Sequence, residues 1–181
     1  DFLINFVVVL NLEQLNNIWG SPICRIERSL STPLGPICTD SRKIEEGSFF
    51  VPLIGQKFNG HDFLSEAFHL GAQAAVVARD YKKDVPPHFL HWEVDDTLKA
   101  YQQLALLHRC DLAIPVIAIT GSVGKTTTKE LVKEALSSLG SITASLDNNN
   151  NDIGVPHTLL QSSHKDAAIV VEMGMRGLGE I

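Results

Sequence analysis

Pro115–Lys129 reads PVIAITGSVGKTTTK. Its first part, Val116-Ile117-Ala118-Ile119, is a short apolar, β-branched run of the kind that forms a buried strand. A glycine-flanked turn follows, Thr120-Gly121-Ser122-Val123-Gly124, and then Lys125 and three threonines. From Lys129 to Leu139 the spacing predicts a helix with Leu131, Val132, Ala135, Leu136 and Leu139 on one side, stopped by Gly140. Strand, glycine turn, Lys-Thr and helix is the architecture of a phosphate-binding loop. In that reading the amides of Gly121, Ser122, Val123, Gly124, Lys125, Thr126 and Thr127 surround the anion, and the helix dipole favours it. Lys125 adds a point charge on the terminal phosphates, and the Thr126 hydroxyl is placed to ligate Mg²⁺. The general pattern G-x-x-x-x-G-K-[ST] asks for glycine where Ile119 stands, so it fails by one residue. The competing reading is a strand-to-helix turn with no ligand. The apolar strand before the turn and the helical period after it favour the nucleotide loop.

Working outward, Ala167–Val171 (AAIVV) is a second apolar run and ends at Glu172. Ligands of parallel sheets gather at the carboxyl ends of the strands. Glu172 is therefore the second candidate Mg²⁺ ligand and, with Lys125, a candidate catalytic residue. Between the two runs lie a candidate strand, Ser141–Ala144, the polar loop Asp147–Pro156 (DNNNNDIGVP) and a brief helical piece, Val155–Leu160.

Upstream, Asn11–Trp19 reads as a short helix capped by Asn11 with Gln14 three residues on, ended by Gly20. Short strands are expected at Ile23–Ile26, Gly35–Thr39, Gly47–Leu53, Ala72–Ala78 and Phe89–Val94. Pro52 marks an edge strand or a strand end. Asp62–Leu70 forms a helix ended by Gly71. Asp95 or Asp96 caps another from Thr97 to Cys110. A domain boundary is expected near residue 112, giving domains 1–111 and 112–181.

The chain of 181 residues is 44% hydrophobic and 20% charged, the profile of a globular protein with ample core. A net charge of −6 with no basic stripe argues against nucleic acid as a partner. Cys24, Cys38 and Cys110 are far apart and lack C-x-x-C spacing. That excludes a disulfide framework and a four-thiolate zinc site, and they are expected as buried, reduced thiols. Phe2–Leu10 is far short of the roughly 20 residues that span a bilayer and has no basic flank, so no membrane insertion is expected. It reads as a first strand or the tail of a removed segment. Both chain ends look cut. His69, His88, His91, His108, His157 and His164 have no ligand-like spacing and read as surface or packing residues.

Thr120–Thr127 (TGSVGKTT) fits T-G-[ST]-x-G-K-T-[ST], the phosphate loop of the Mur ligases, which lacks the first Walker glycine. Asp40-Ser41-Arg42 with Gly47–Phe63 (GSFFVPLIGQKFNGHDF) resembles the same family's N-terminal signature. The resemblance runs from about residue 12 to residue 181, and the Ile119 departure thereby becomes a family mark. Asn148–Pro156 and Glu172-Met173-Gly174 with Gly179-Glu180-Ile181 are similar to the branch that adds D-alanyl-D-alanine. Val123, Asp147 and Met175-Arg176 depart from that branch's usual residues, which touches substrate contacts rather than phosphate chemistry.

The resemblance implies an α/β fold: a small mixed α/β N-terminal substrate domain, then the start of a parallel-sheet P-loop ATPase domain. It implies a cytoplasmic, monomeric ligase of peptidoglycan precursor synthesis, or a plastid one in a plant, that uses ATP and Mg²⁺. The partners implied are UDP-MurNAc-tripeptide and D-alanyl-D-alanine, joined through an acyl phosphate. Ser41 and Arg42 are implied at the uridine diphosphate end; the alternative is a turn with a local Asp40–Arg42 pair. Asn148, Asn150, Asn151 and Asp152 are candidates for the peptide or a metal-bound water; the alternative is an Asx loop that satisfies its own backbone. The rival functions are another ligase of the superfamily, such as a folylpolyglutamate synthase, and a non-catalytic nucleotide- or UDP-sugar-binding fragment. The chain is expected to be inactive alone and active within the full-length protein.

Overall fold

The computed structural model describes residues 10–24, 29, 31–146 and 149–175. They form two compact units, one up to Tyr101 and one from Gln102 onward.

The first unit opens on α1 (Leu12–Trp19), whose ends are set by local chemistry. Asn11 Oδ1 accepts from the Gln14 N–H at 2.9 Å, and Gln14 Oε1 accepts from the Asn11 N–H at 3.0 Å. This reciprocal box satisfies two donors that the helix leaves open, and Gly20 ends it at φ +79°. Four strands then lie side by side in chain order and all parallel: β1 (Ile37–Cys38), β2 (Phe49–Phe50), β3 (Ala74–Ala78) and β4 (Leu90–Val94). α2 (Leu64–His69) connects β2 to β3. β2 is shorter than its apolar run because Pro52, without an N–H, ends the ladder. It lies between β1 and β3, so the proline marks an end and not an edge. Both faces of the sheet are covered, as its apolar composition requires. Phe50 packs with Leu64, Ala67, Ala75, Val77 and Phe89 on one face. Phe49 faces the other way, with ring centroids 6.3 Å from Trp19 and 6.0 Å from Trp92.

His61 is fully buried in this unit. Its Nε2 accepts from the Ala78 N–H at 2.9 Å, which leaves the ring proton on Nδ1, donated to Asn59 Oδ1 at 2.7 Å. Tyr81 stacks on the ring at 4.9 Å. Burial pushes the imidazole pKa down, and burial does the same at His108 in the second unit, where Nε2 donates to the Ser162 carbonyl at 2.9 Å. Both rings are thus neutral in the fold and take up a proton more readily when unfolded. Stability from these groups is full above the ordinary histidine pKa of about 6.5 and is lost as pH falls below it. Denaturant unfolding followed from about pH 7.5 down to about pH 5.5 is expected to show stability falling by up to about 1.4 kcal/mol per pH unit for each histidine. A flat profile would contradict the neutral assignment.

α3 (Thr97–Leu112) begins under an Asp96 cap, whose Oδ1 accepts from the Leu98 and Lys99 N–H groups at 2.8 and 3.2 Å. The division between the units falls within this helix, while the boundary expected at 111/112 stands at its end. The second unit continues with β5 (Val116–Ile119), α4 (Lys125–Leu136), β6 (Ser141–Ala144), α5 (Gly154–Leu160) and β7 (Asp166–Glu172). The strands are all parallel in the order β5-β7-β6, which makes β7 central and accounts for its unbroken apolar run. Leu112, Ile169 and Val171 form a core with Ile114, Val116, Leu159 and Met173 around it.

Three expectations are corrected. α4 starts at Lys125 rather than Lys129, because the threonines form its first turn. Its inward stripe is Lys125, Lys129, Val132 and Leu136, so Leu131 and Ala135 are exposed, Leu131 to 67%, and Leu139, past the end of the helix, is 69% exposed. Cys24 and Cys110 are exposed free thiols and Cys38 is half-buried, so the cysteines are not core residues. Residues 25 and 26 of the strand expected at Ile23–Ile26, and all of Phe2–Leu10 except Leu10, lie outside the described residues. Ile23 itself pairs with His91 in an isolated bridge.

Candidate functional site

The pairing of β5 with β7 creates the site. Ile119 stands opposite Glu172, and the Met173 N–H donates to the Ile119 carbonyl at 2.9 Å. Two carboxyl strand ends, far apart in sequence, are thereby neighbours. One feeds the glycine turn and the other presents an acid.

The turn needs both its glycines for backbone reasons. Gly124 sits at φ +77° as the residue capping α4, a left-handed conformation that costs a side-chain-bearing residue about 1 kcal/mol or more. It brings no capping side chain, and no acid occupies the first turn of α4. The first intrahelical bond runs from the Thr128 N–H to the Gly124 carbonyl at 2.9 Å. The amides of Lys125, Thr126 and Thr127 precede it and have no acceptor within the helix, which leaves them directed at an anion. Gly121 is at φ +151°. Ser122 and Val123 are exposed, Val123 to 92%. Lys125 Nζ donates to the Gly121 carbonyl at 2.8 Å, which folds the ammonium back over the loop.

Glu172 is buried and fully engaged. Thr126 Oγ1 donates to its Oε2 at 2.9 Å, and Asn150 Nδ2 donates to its Oε1 at 3.0 Å. The Asn150 bond foremost, then the Thr126 bond and the charges of Lys129 and Lys125, hold its carboxyl below the usual range, against the opposing effect of burial. It is therefore an anion ready for a cation. Mg²⁺ binds oxygens at about 2.1 Å in an octahedron, which puts neighbouring ligands about 3 Å apart. The 2.9 Å between Thr126 Oγ1 and Glu172 Oε2 matches that spacing. Among the described residues no three His, Cys, Asp or Glu side chains gather.

The asparagine loop does two jobs. Asn150 joins Glu172 by its side chain, and its carbonyl accepts from the Gly174 N–H at 2.7 Å. Asn151 Oδ1 instead accepts from the Ile153 and Gly154 N–H groups at 3.2 and 2.7 Å, the self-satisfied Asx turn. Asp152 is exposed, with its carbonyl held by Gln102 Nε2 at 3.1 Å. Asn148 and Gly179-Glu180-Ile181 lie outside the described residues. Ser41 and Arg42 belong to the first unit. The Ser41 hydroxyl donates to Glu66 Oε2 at 3.0 Å. Arg42 makes a two-pronged pair with Asp40, Nε–Oδ1 2.8 Å and Nη2–Oδ2 2.7 Å, and that pair holds the Asp40 carboxyl at about 2.

Sequence reasoning missed Lys129 and Ser145. Lys129 is buried, and its Nζ donates to the Ser145 carbonyl at 2.7 Å. Ser145 Oγ accepts from the Glu172 N–H at 3.1 Å. The spacing Lys125, Lys129, Val132, Leu136 carried the signal, since it places Lys129 on the stripe that faces the sheet.

Comparison with known proteins agrees with this anatomy. The description "Mur ligase family, catalytic domain" matches residues 36–109, and "Mur ligase middle domain" matches residues 119–180. A UDP-N-acetylmuramoyl-tripeptide--D-alanyl-D-alanine ligase of Synechocystis is 46% identical over 80% of this chain and 32% of its own length. The Escherichia coli ligase of the same name is 36% identical over 97% of this chain and 37% of its own. A crystal structure of MurF from Acinetobacter baumannii superposes with a TM-score of 0.82 at 32% identity, covering 96% of this chain and 37% of that one. MurF of Thermotoga maritima, solved in complex with ADP, gives 0.71 at 29% identity over 81% of this chain and 33% of that one. The chain thus spans about a third of the length of the curated relatives it matches. Both segments that carry candidate residues, the D-S-R module and the phosphate loop with Glu172, fall inside those two matches, and the chain belongs to the Mur ligase family.

Proposed function

We propose that this chain forms the substrate-entry and phosphate-handling part of an ATP-dependent ligase that joins D-alanyl-D-alanine to UDP-MurNAc-tripeptide. The observation that carries the reading is the meeting of Thr126, Glu172 and Asn150 beside the open amides of α4. Residues 1–111 take the UDP-sugar-peptide and residues 112–181 begin the ATP domain. The names of the relatives supply the substrates, and the ADP complex of one neighbour supports a nucleotide at the loop. The proposed enzyme works as a cytoplasmic monomer; no described helix is long and apolar enough to cross a membrane.

The chemical difficulty is to bring a carboxylate and a triphosphate, both anionic, into contact. Positioning and charge neutralisation supply most of the rate in such transfers. Lys125 rotates from the Gly121 carbonyl onto the β/γ oxygens. The amides from Gly121 to Thr127 orient the phosphate chain. Thr126 and Glu172 would hold Mg²⁺, which when bound neutralises and aligns the phosphate oxygens. Asn150 keeps the carboxylate turned toward Thr126. Ser41 and Arg42 serve the uridine diphosphate end, Arg42 by exchanging Asp40 for phosphate, and the exposed Asp152 borders the acceptor peptide, while Asn151 holds the turn of its own loop.

The deciding experiment measures phosphate release from ATP by the intact protein with UDP-MurNAc-tripeptide and D-alanyl-D-alanine. Release that requires all three is expected. Nucleotide binding without release under any combination of the substrates would replace the ligase with a binding module.

A further inference from the structure

We propose that Lys129 is a positioning residue: through Ser145 it fixes Glu172 relative to the phosphate loop. This inference rests on the reading of Thr126 and Glu172 as a magnesium site. Lys129 is 2% exposed, although a buried ammonium is costly and an apolar side chain would fill the same place. Its Nζ donates to the Ser145 carbonyl at 2.7 Å and pairs with Glu130 Oε1 at 3.0 Å. Ser145 follows β6, and its own N–H donates to the Val170 carbonyl at 3.0 Å. Its buried hydroxyl accepts from the Glu172 N–H at 3.1 Å and from Thr158 Oγ1 at 3.4 Å.

These bonds close a ring. α4 reaches Glu172 directly, from Thr126 to the carboxylate, and a second time from Lys129 through Ser145 to the main-chain N–H. Thr126 and Lys129 are three residues apart, neighbours on one face of the helix. Thr126 and Asn150 hold the carboxylate itself, and neither reaches the Glu172 main chain through these side-chain bonds. Two contacts from one rigid helix set both the position of the Glu172 backbone and the direction of its side chain. Partners beyond the ligands act in this way in metal sites generally, and their loss lowers metal affinity by about 10- to 100-fold.

The test compares Lys129→Met, Lys129→Arg and Ser145→Ala with Glu172→Gln in the intact protein, reading the magnesium concentration that half-saturates ADP binding, the affinity for ADP without metal, and the melting temperature. Ser145→Ala keeps the carbonyl for Lys129 and removes only the acceptor of the Glu172 N–H, so it tests the relay even where Lys129→Met folds poorly. The expected result is a rise of about tenfold or more in half-saturating magnesium for Lys129→Met and Ser145→Ala. Metal-free ADP affinity should stay within about twofold, because the loop amides remain. Lys129→Arg, which keeps charge and donors, should recover part of the loss. Lower melting temperatures with unchanged magnesium dependence in Lys129→Met and Ser145→Ala, while Glu172→Gln shifts it, would overturn the inference alone. An unchanged magnesium dependence in Glu172→Gln would overturn the metal reading of the site and this inference with it.

Discussion

Lys125→Ala is expected to lower ATP turnover roughly a thousandfold or more, the size of effect seen when a preorganised charge is taken from a phosphoryl-transfer site. Lys125 is the side-chain cation carried by the loop itself, standing one residue after Gly124 and one before the proposed metal ligand Thr126. The helix amides offer partial charges, and they cannot replace a full positive charge where two anions must approach. The fold has little stake in the residue. Its side chain is half-buried, and its Nζ donates to one carbonyl, that of Gly121. The melting temperature of Lys125→Ala should therefore stay near that of the parent while phosphate release collapses. Lys125→Arg should recover little, since the planar guanidinium is longer and places its charge differently from an ammonium. Rapid ATP consumption retained in Lys125→Ala would refute the assignment of this loop to phosphate chemistry.

The parts of this molecule that are local in sequence were legible there. The Asn11–Gln14 box, the Asp96 cap and the strand ending at Glu172 depend on neighbours within a few residues, and each stands where its spacing indicated. The strand, glycine turn and helix around Lys125 were legible because they follow one another directly. What escaped was set by contacts between distant segments. Lys129 read as the first polar residue of a helix, because nothing near it in sequence announces the Ser145 carbonyl. Asn150 and Asn151 are adjacent and chemically identical, yet one faces Glu172 and the other caps its own loop. Only the packing of β7 beside that loop tells them apart. The threonines after Lys125 have modest helix propensity, which hid the true start of α4. Cys24 and Cys110 followed the general tendency of thiols toward the interior in expectation, and the structure places both at the surface.

The asparagine loop leads to the second large effect, at a residue with no side chain. Gly154→Ala is expected to destabilise the protein by about 1–3 kcal/mol or more and to remove activity at the same time. The cause is space rather than backbone strain. A Cβ on Gly154 would lie 2.5 Å from the carbonyl carbon of Asn149 and nearer still to its Cα, both main-chain atoms that cannot rotate away. The Gly154 N–H is meanwhile tied to Asn151 Oδ1 at 2.7 Å, and the Val155 N–H to the Asn151 carbonyl at 3.0 Å. The start of α5 and the loop cannot separate without losing these bonds. The loop carries Asn150, so any shift that makes room for a methyl group also draws the amide from Glu172. Asn150→Ala provides the contrast, since it removes the same amide with no steric push. It should weaken magnesium-dependent turnover while leaving the melting temperature much closer to that of the parent. If Gly154→Ala instead kept both its melting temperature and its turnover, the close seating of the asparagine loop against α5 would be wrong. The orientation of Asn150 toward Glu172 would then lose its structural support.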